Sequence, residues 1–431
     1  MNSVSTFEAI VISLLPAFTE PTGQTFVTLV RGWVQCLGRP TIRRLLAVVQ
    51  GTVKSPSSYA RFFRTARWQW DELWQLLVVD ILVPWFCAKG KLLFAVDDTT
   101  ADKHGKRVAF AALFRDAVRS RPGSNVFVRA HCWVLMTLAI RVPLCRRRVH
   151  VPVMARLYRK QSDCGAEHPF RTRQELALEM IEKIAKWLPD RKIELVADGA
   201  YPCESLVRRL PENVHFTSRI QSNAAVYEEV TPPSRPRRGR PRQKGERLPS
   251  LAHLAQGVTR WETAEVLVYG QLQKLQLWSR TLLWWHVAKA RPVLLVVSRG
   301  LGGNDAPQFF FSTNLEATAV EVVETFGVRF GIEEVIRDAK QLVGFGKVQG
   351  WAPRTVQRQA PFALFVLALV KVWYLHELAR RHHRDELPAT SAMLTTLRLA
   401  YWRDRISRLS LSRTDKREII RAIRNALAAA A

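Results

Sequence analysis

Residues 321–347 read EVVETFGVRFGIEEVIRDAKQLVGFGK, and the interpretation of the whole chain starts from this stretch. Its apolar residues recur at helical spacing, which predicts an amphipathic helix docked on a core. Arg329 and Glu333 are four residues apart and Lys340 follows seven residues later, so the three share one face. An Arg, a Glu and a Lys aimed at one place suit phosphate and metal binding. The alternative is a surface helix with ordinary ion pairs.

The spacing Phe326-x2-Arg329-x3-Glu333-x6-Lys340 resembles the Tyr-Arg-Glu-Lys signature of insertion-sequence transposases, which have an RNase H-like DDE domain. Phe326 departs from that signature, because the family usually has Tyr there. The missing hydroxyl is one that can hydrogen-bond a DNA phosphate. Val322 and Val323 precede Phe326 on a helix that must dock, so we expect a packed ring.

Charge and cysteine usage limit the possible partners. Lys and Arg number 65 against 37 Asp and Glu, which gives the 431-residue chain a net charge of +28. This excess predicts a polyanionic partner, with nucleic acid favoured over an acidic membrane surface. The longest apolar run, residues 360–370, is too short to span a bilayer and predicts a buried helix. The six cysteines contain no CxxC pair, which argues against a zinc site and a disulfide framework.

The N-terminal region, residues 1–86, reads as a helical domain punctuated by prolines. Glu8 interrupts its first apolar stretch and no basic segment precedes it, so we expect no secretory signal and a cytoplasmic location. Residues 39–68 resemble a helix-turn-helix, with Arg61, Arg64 and Arg67 on the second helix. Direct DNA contact and a plain helical hairpin with a basic face are both compatible with this pattern.

A short apolar strand, KLLFAV at residues 91–96, leads directly into Asp97 and Asp98. Carboxylates at the end of a buried strand are costly unless they are paired or bind a cation, so this ending predicts a cation site. An Asx turn or helix N-cap by Asp98 is the alternative. If the strand continues, the two side chains point to opposite faces and only one of them can bind a metal directly.

The next elements follow the order expected of an RNase H-like domain in the family that the chain resembles. Residues 127–140 and 149–158 predict two more strands, residues 171–188 a helix, and KIELVADGAY a strand ending at Asp198. We therefore expect an α/β fold with a mixed sheet flanked by helices. The expected parts are a catalytic domain at 87–219 and 319–385, a β-rich insertion at 220–318, and basic C-terminal helices at 386–431.

The resemblance implies that Asp97, Asp198 and Glu333 hold two Mg²⁺ ions, for which Mn²⁺ can substitute. The Asp-x-Thr pattern fits both Asp97 and Asp98, and we choose Asp97 because it follows the apolar run directly. Arg329 and Lys340 are expected to hold flanking phosphates.

The insertion carries two further candidates for DNA contact. Its four tryptophans either stack on an unpaired base or belong to the insertion's core; they are Trp261, Trp278, Trp284 and Trp285. Residues 234–247, SRPRRGRPRQKGER, contain Arg238, Arg240 and Arg242 in a setting that resembles an AT-hook. Such a segment either lies in an A·T minor groove or is a solvated basic loop.

These observations together predict a DNA transposase that binds the double-stranded ends of an insertion sequence, cleaves them, and joins the freed 3′-hydroxyl to target DNA. The resemblance also implies a homodimer on paired ends and no membrane partner. Two rivals stay open. One is a DNA-binding relative without catalytic activity, and the other is an RNase H-like nuclease without strand transfer.

Overall fold

The chain opens with short helices. The computed structural model describes residues 3–52, 54–116, 119–142, 145, 147–230, 242–302, 305–381 and 387–429. In α4, Tyr59, Phe62 and Phe63 are buried, while Arg61 and Arg64 are exposed on the opposite face. A π-helical segment, Leu76–Leu82, joins α5 to α6. The first six helices are α1 Ser3–Ile12, α2 Glu20–Gln35, α3 Ile42–Ala47, α4 Pro56–Arg64, α5 Trp70–Gln75 and α6 Val83–Phe86.

A ten-stranded mixed sheet forms the centre of the described part of the chain. Its order is β2-β3-β1-β5-β6-β10-β9-β8-β7, and β4 pairs with β3. The strands are β1 Leu92–Asp102, β2 Ala112–Arg115, β3 Phe127–Arg141, β4 Arg148–Tyr158, β5 Ile193–Ala197, β6 Val214–Arg219, β7 Glu262–Val268, β8 Gln271–Leu283, β9 Pro292–Gly300 and β10 Gln308–Ser312.

The remaining helices flank the sheet or follow it in sequence. Because helices and a mixed sheet together build the described structure, the expected α/β class is confirmed. These helices are α7 Arg173–Trp187, α8 Glu204–Val207, α9 Leu251–Gln256, α10 Trp285–Ala288, α11 Ala319–Val328, α12 Phe330–Gln341, α13 Pro353–Arg381, α14 Thr390–Ser407 and α15 Arg413–Ala429.

The three middle strands β1, β5 and β6 are parallel. Strand β3 runs antiparallel to β1, and β4 runs antiparallel to β3. The carboxyl ends of β1, β5 and β6 therefore open at one edge of the sheet. Val96 pairs with Ala197 across β1 and β5. The residues that follow this pair, Asp97 and Asp198, are thereby brought side by side.

One expectation about β1 is wrong. The apolar run predicts a strand that ends at Asp97 and Asp98, but β1 continues to Asp102. The extension is held by β3, which pairs with it residue by residue as far as Asp102 opposite Ala130. Since a strand alternates its side chains between two faces, the continuation places Asp97 and Asp98 on opposite faces.

The insertion extends the same sheet, because β10 pairs with β6 and β7–β9 continue outward from it. Its four tryptophans are all buried or partly buried. Trp284 packs on Phe311 with ring centroids 5.1 Å apart, and Arg299 stacks 4.0 Å from the Trp261 ring centroid. These contacts favour a packing role. Arg242 is exposed, whereas Arg238 and Arg240 lie outside the described residues.

Helix α13 runs through the core between the N-terminal helices and β4. It contains a 27-residue stretch, Pro353–Ala379, that by length and composition could cross a membrane, but 72% of its most apolar window is buried inside the protein. The expected buried helix over residues 360–370 is confirmed, although it is longer than its apolar run. Arg398 of α14 donates to the carbonyls of Val34 and Cys36, and these hydrogen bonds tie α14 to the end of α2.

Candidate active site

The predicted helix over residues 321–347 is two helices that meet at Arg329, which ends α11 and precedes α12. A close approach beside this junction requires glycine. A Cβ on Gly331 would lie 2.2 Å from the ring of His150 on β4. Farther along α12, the buried Asp338 lies 3.9 Å from the Lys371 ammonium of α13, which also donates to the carbonyl of His150. These contacts press α12 against the sheet.

Arg329 bridges two carboxylates that are far apart in sequence. Its guanidinium donates to Asp97 Oδ2 at 3.1 Å and to Glu333 Oε1 at 2.7 Å. Arg329 and Asp97 are both largely buried, with exposed side-chain fractions of 17% and 20%. The shared face predicted for Arg329 and Glu333 is therefore confirmed, and it lies directly over the carboxylate of Asp97.

The Asp97 carboxyl lies in surroundings that disfavour its ionised form. Burial raises the pKa of Asp97 to about 6, and the nearby Asp98 and Asp198 carboxylates push the pKa the same way. The Asp98 amide, which donates to Asp97 Oδ1 at 2.8 Å, and the Arg329 guanidinium oppose this rise without overcoming it. The fold thus favours the neutral form of the Asp97 carboxyl, mainly because the group is buried.

Asp198 is exposed in the turn that follows β5. The Gly199 amide donates to its Oδ1 at 2.5 Å, and the Tyr201 amide donates to its main-chain carbonyl at 3.0 Å. Arg219, at the end of the neighbouring parallel strand β6, comes close to this turn, since a Cβ on Gly199 would lie 3.4 Å from Arg219 Cβ. The side chain of Arg219 starts beside this turn, and its guanidinium donates to Gln308 Oε1 at 2.9 Å.

Asp98 is held by a separate set of partners on the other face of β1. Arg173 of α7 lies 3.1 Å from its Oδ2, and the Tyr201 hydroxyl donates to its Oδ1 at 3.3 Å. The Cys132 thiol lies 3.7 Å from Oδ2. Tyr201 belongs to the Asp198 turn, so Asp98 fixes the position of that turn relative to β1. The expectation of opposite faces is confirmed, and it leaves Asp97 facing α12.

Phe326 is packed, as expected from its apolar neighbours, with 6% of its surface exposed. Its ring centroid lies 5.1 Å from that of Phe310. The guanidinium carbons of Arg219 and Arg329 lie 5.3 and 5.8 Å from the same ring centroid. The ring therefore lies beside the guanidinium of Arg329, which joins Asp97 and Glu333, and beside that of Arg219.

Lys340 lies apart from the carboxylates that Arg329 joins. It lines a groove with Lys103 and Lys347, and burial lowers the pKa of its ammonium group while Asp102 and Asp116 raise it. Of the residues nominated from sequence, Asp97, Arg329 and Glu333 are joined by hydrogen bonds, and Asp198 acts on Asp97 through its charge. Arg173, Arg219 and Tyr201 were missed, because nothing in their local sequence indicates partners on distant elements.

The donor chemistry of the site fits a divalent metal such as Mg²⁺. Asp97, Asp198 and Glu333 offer hard carboxylate oxygens, which such cations prefer. Among the described residues, no group of three or more His, Cys, Asp or Glu side chains is close enough to hold a metal as it stands. Arg329 lies between Asp97 and Glu333, so its guanidinium supplies the positive charge there.

The chain was compared with protein families, curated proteins and solved structures. The model of the DDE superfamily endonuclease family matches residues 13–280. The match contains Asp97, Asp98 and Asp198, and it ends before Arg329 and Glu333. No curated protein matches the chain. Among solved structures, a piggyBac transposase in a synaptic complex with hairpin DNA is similar with a TM-score of 0.41 and 11% identity, covering 98% of this chain and 85% of that one.

We expect the Asp97 carboxyl to make the metal-free protein less stable as pH rises. An acid with a raised folded-state pKa stabilises the fold below its unfolded pKa, and that contribution is lost as pH increases through the folded value. With a pKa of about 6, the loss should amount to about 3 kcal/mol at most, between about pH 4 and 6.5. Urea unfolding in EDTA should show that the free energy of unfolding of the wild-type protein falls across this pH range. The Asp97→Asn variant should lack this fall. Parallel curves for the two proteins would contradict the assignment.

We expect Phe326→Tyr to lower stability, because an added hydroxyl in a packed position without a partner costs roughly 1–3 kcal/mol. Thermal unfolding of the variant measures this cost. Phe330→Tyr is the matched control, since Phe330 is 44% exposed on the next helix and should tolerate the hydroxyl. An unchanged Tm for Phe326→Tyr together with faster DNA-end cleavage would show that the hydroxyl finds a phosphate.

Proposed function

The chain belongs to the DDE superfamily endonuclease family, and from that membership we propose that it is a DNA transposase. It binds the ends of an insertion sequence, cuts them by metal-dependent phosphodiester hydrolysis, and joins the freed 3′ ends to target DNA. The net charge of +28 supports a polyanionic substrate.

The catalytic core in this proposal is RNase H-like. The order β4-β3-β1-β5-β6 supports it, because only β3 runs opposite to the other four strands. In such a core the carboxylates on neighbouring parallel strands meet at one edge, where a helix from later in the chain adds a third. Here Asp97 and Asp198 occupy that edge and α12 supplies Glu333.

The bridge from Asp97 through Arg329 to Glu333 is the observation that carries the proposal. The family match ends at residue 280 and leaves the third acidic residue unassigned. Glu333 accepts a hydrogen bond from the same guanidinium as Asp97, although 236 positions separate the two in sequence. Their shared partner supports Glu333 as the third acidic residue, in preference to the neighbouring Glu334, which pairs with Arg147.

In the proposed reaction, water attacks phosphorus at the transposon boundary and forms a new P–O bond while the bond from phosphorus to the 3′ oxygen breaks. This leaves a 3′-hydroxyl on the transposon and a 5′-phosphate on the flanking strand. The 3′-hydroxyl next attacks a target phosphodiester and expels a target 3′-hydroxyl, so one phosphodiester replaces another. Both are in-line displacements at phosphorus.

Asp97, Asp198 and Glu333 would hold divalent metal ions, which when bound supply Lewis-acid stabilisation and a stronger nucleophile. Arg329 presents its guanidinium beside the carboxylates and suits the phosphate oxygens of the scissile strand. Asp98 acts as a positioning residue through Arg173 and Tyr201. It fixes the position of the Asp198 turn relative to β1.

Other DNA contacts in the proposal lie away from the carboxylates. Lys340 is assigned to a flanking phosphate, and residues 234–247, with Arg238, Arg240 and Arg242, to an A·T minor groove. Two copies of the chain would act together on paired ends. The expectation of a homodimer rests on the resemblance stated for the Phe-Arg-Glu-Lys signature.

Parallel nicking and gel-shift assays on the element's own ends test the catalytic assignment. We expect Asp198→Ala and Glu333→Gln to abolish Mg²⁺-dependent cleavage while retaining DNA-end binding, because each change removes a carboxylate oxygen ligand and keeps the basic surface. Asp97→Asn should behave in the same way. Asp98→Asn should reduce the rate less, since its partners are structural.

Glu334→Gln is the matched control for Glu333→Gln, because the two glutamates are neighbours on α12 and only Glu333 is bonded to Arg329. It should leave cleavage close to the wild-type rate. Retained nicking in Asp198→Ala or Glu333→Gln would contradict the proposal. A larger loss in Asp98→Asn than in Asp97→Asn would move the metal ligand to Asp98.

A further inference from the structure

A groove lined by basic side chains lies beyond the carboxylates, between the end of β1, the end of α12 and the N-terminal helices. We call it the basic groove and define it by Arg39, Lys103, His104, Lys340 and Lys347. Arg39 and Lys347 are exposed, and Arg39 Nε donates to the carbonyl of Lys347 at 3.0 Å. This contact ties the N-terminal helices to the loop after α12.

β1 and α12 both lead from the candidate active site to the basic groove. Asp97 and Lys103 lie on the same face of the chain at β1, because they are six residues apart and strand side chains alternate. On α12, Lys340 follows Glu333 by seven residues, or about 10 Å along the helix axis. That length corresponds to about three steps of a DNA strand at 3.4 Å each. A strand held at the carboxylates therefore reaches the groove within a few nucleotides.

The basic side chains of the groove outnumber its carboxylates, because Asp102 is the one acidic residue among the described residues that line it. Within the described parts of the chain, none of its five defining residues forms an ion pair. Lys103 is 9% exposed and its ammonium donates to the carbonyl of Gly346 at 2.7 Å. Burial and the charge of Arg39 lower the pKa of Lys103 to about 8, while Asp102 raises it. The groove accordingly favours an anion that brings several negative charges.

An exposed tryptophan adjoins this groove. Trp351 follows Gly350, which lines the groove, and is 62% exposed, more than any other large apolar side chain among the described residues. Its backbone is fixed on both sides. The Ala109 amide donates to the Trp351 carbonyl at 2.9 Å, and the Gly350 amide donates to Gln359 Oε1 at 2.7 Å. An exposed indole on a held backbone, beside several basic side chains, is a surface on which a base can stack.

We propose that the basic groove binds a single DNA strand leaving the active site, with its phosphates on Arg39, Lys340 and Lys347 and an unpaired base stacked on Trp351. The inference rests on the proposed function. It adds where the strand runs after the active site and that this strand is unpaired. Cations alone would accept duplex DNA equally well. The exposed indole selects the single strand, because the π-face of a base is free to stack only when the base leaves its duplex.

Fluorescence anisotropy with a labelled 12-nucleotide single strand and the matching duplex tests this assignment, using the full chain in EDTA so that no cleavage occurs. Trp351→Ala should weaken single-strand binding by roughly 5- to 100-fold and duplex binding much less, because each stacked base contributes strongly to affinity. Trp351→Phe should restore most of the affinity, since it keeps an aromatic face. Trp85→Ala is the control, because Trp85 is 43% exposed at α6, away from the groove.

The contribution of the basic side chains to binding is tested through the salt dependence of single-strand affinity. The double variant Arg39→Gln, Lys347→Gln should flatten the log-log salt slope of single-strand binding by about 1.4, because each lost phosphate contact removes about 0.7. Wild-type protein that binds neither DNA would contradict the proposed function itself. Wild-type binding that Trp351→Ala and the double variant leave unchanged would contradict only the basic groove, and so would equal losses for single strand and duplex in Trp351→Ala.

Discussion

One guanidinium held between two carboxylates is the interaction on which the site depends. Arg329 reaches both Asp97 and Glu333 only because α12 lies against the sheet at the carboxyl end of β1. Gly331 makes that approach possible, since any side chain there would meet His150. Lys371 ties the far half of α12 to the core through Asp338 and the His150 carbonyl. The packing of α12 against β4 and α13 thus fixes the distance between the acidic residues.

The sequence predicts the site best where the signal is local. The apolar run before Asp97 and the similar run before Asp198 predict two buried strands, and their parallel pairing brings the two carboxylates together. The i,i+4 spacing of Arg329 and Glu333 predicts a shared face, which the helix after the break preserves. The burial of Phe326 also follows from its apolar neighbours.

Other features depend on tertiary contacts that no local pattern encodes. The extension of β1 to Asp102 depends on pairing with β3, more than 25 residues later. The break at Arg329 accompanies the close approach of Gly331 to His150, and the glycines at 327 and 331 were the only local indication of it. Asp98 acquires its partners from α7 and from the Asp198 turn. Trp351 owes its fixed backbone to residues 109 and 359.

The central claim is that Asp97, Asp198 and Glu333 form one cation site in which Arg329 supplies part of the charge. An anomalous difference map from crystals of the full chain grown with Mn²⁺ tests it most directly. The account predicts a peak at coordination distance, about 2.0–2.6 Å, from oxygens of Asp97 and at least one of the other two carboxylates, with the Arg329 guanidinium displaced from its bridge. Crystals saturated with Mn²⁺ that show no peak there, with Arg329 still bonded to Asp97 and Glu333, would contradict it.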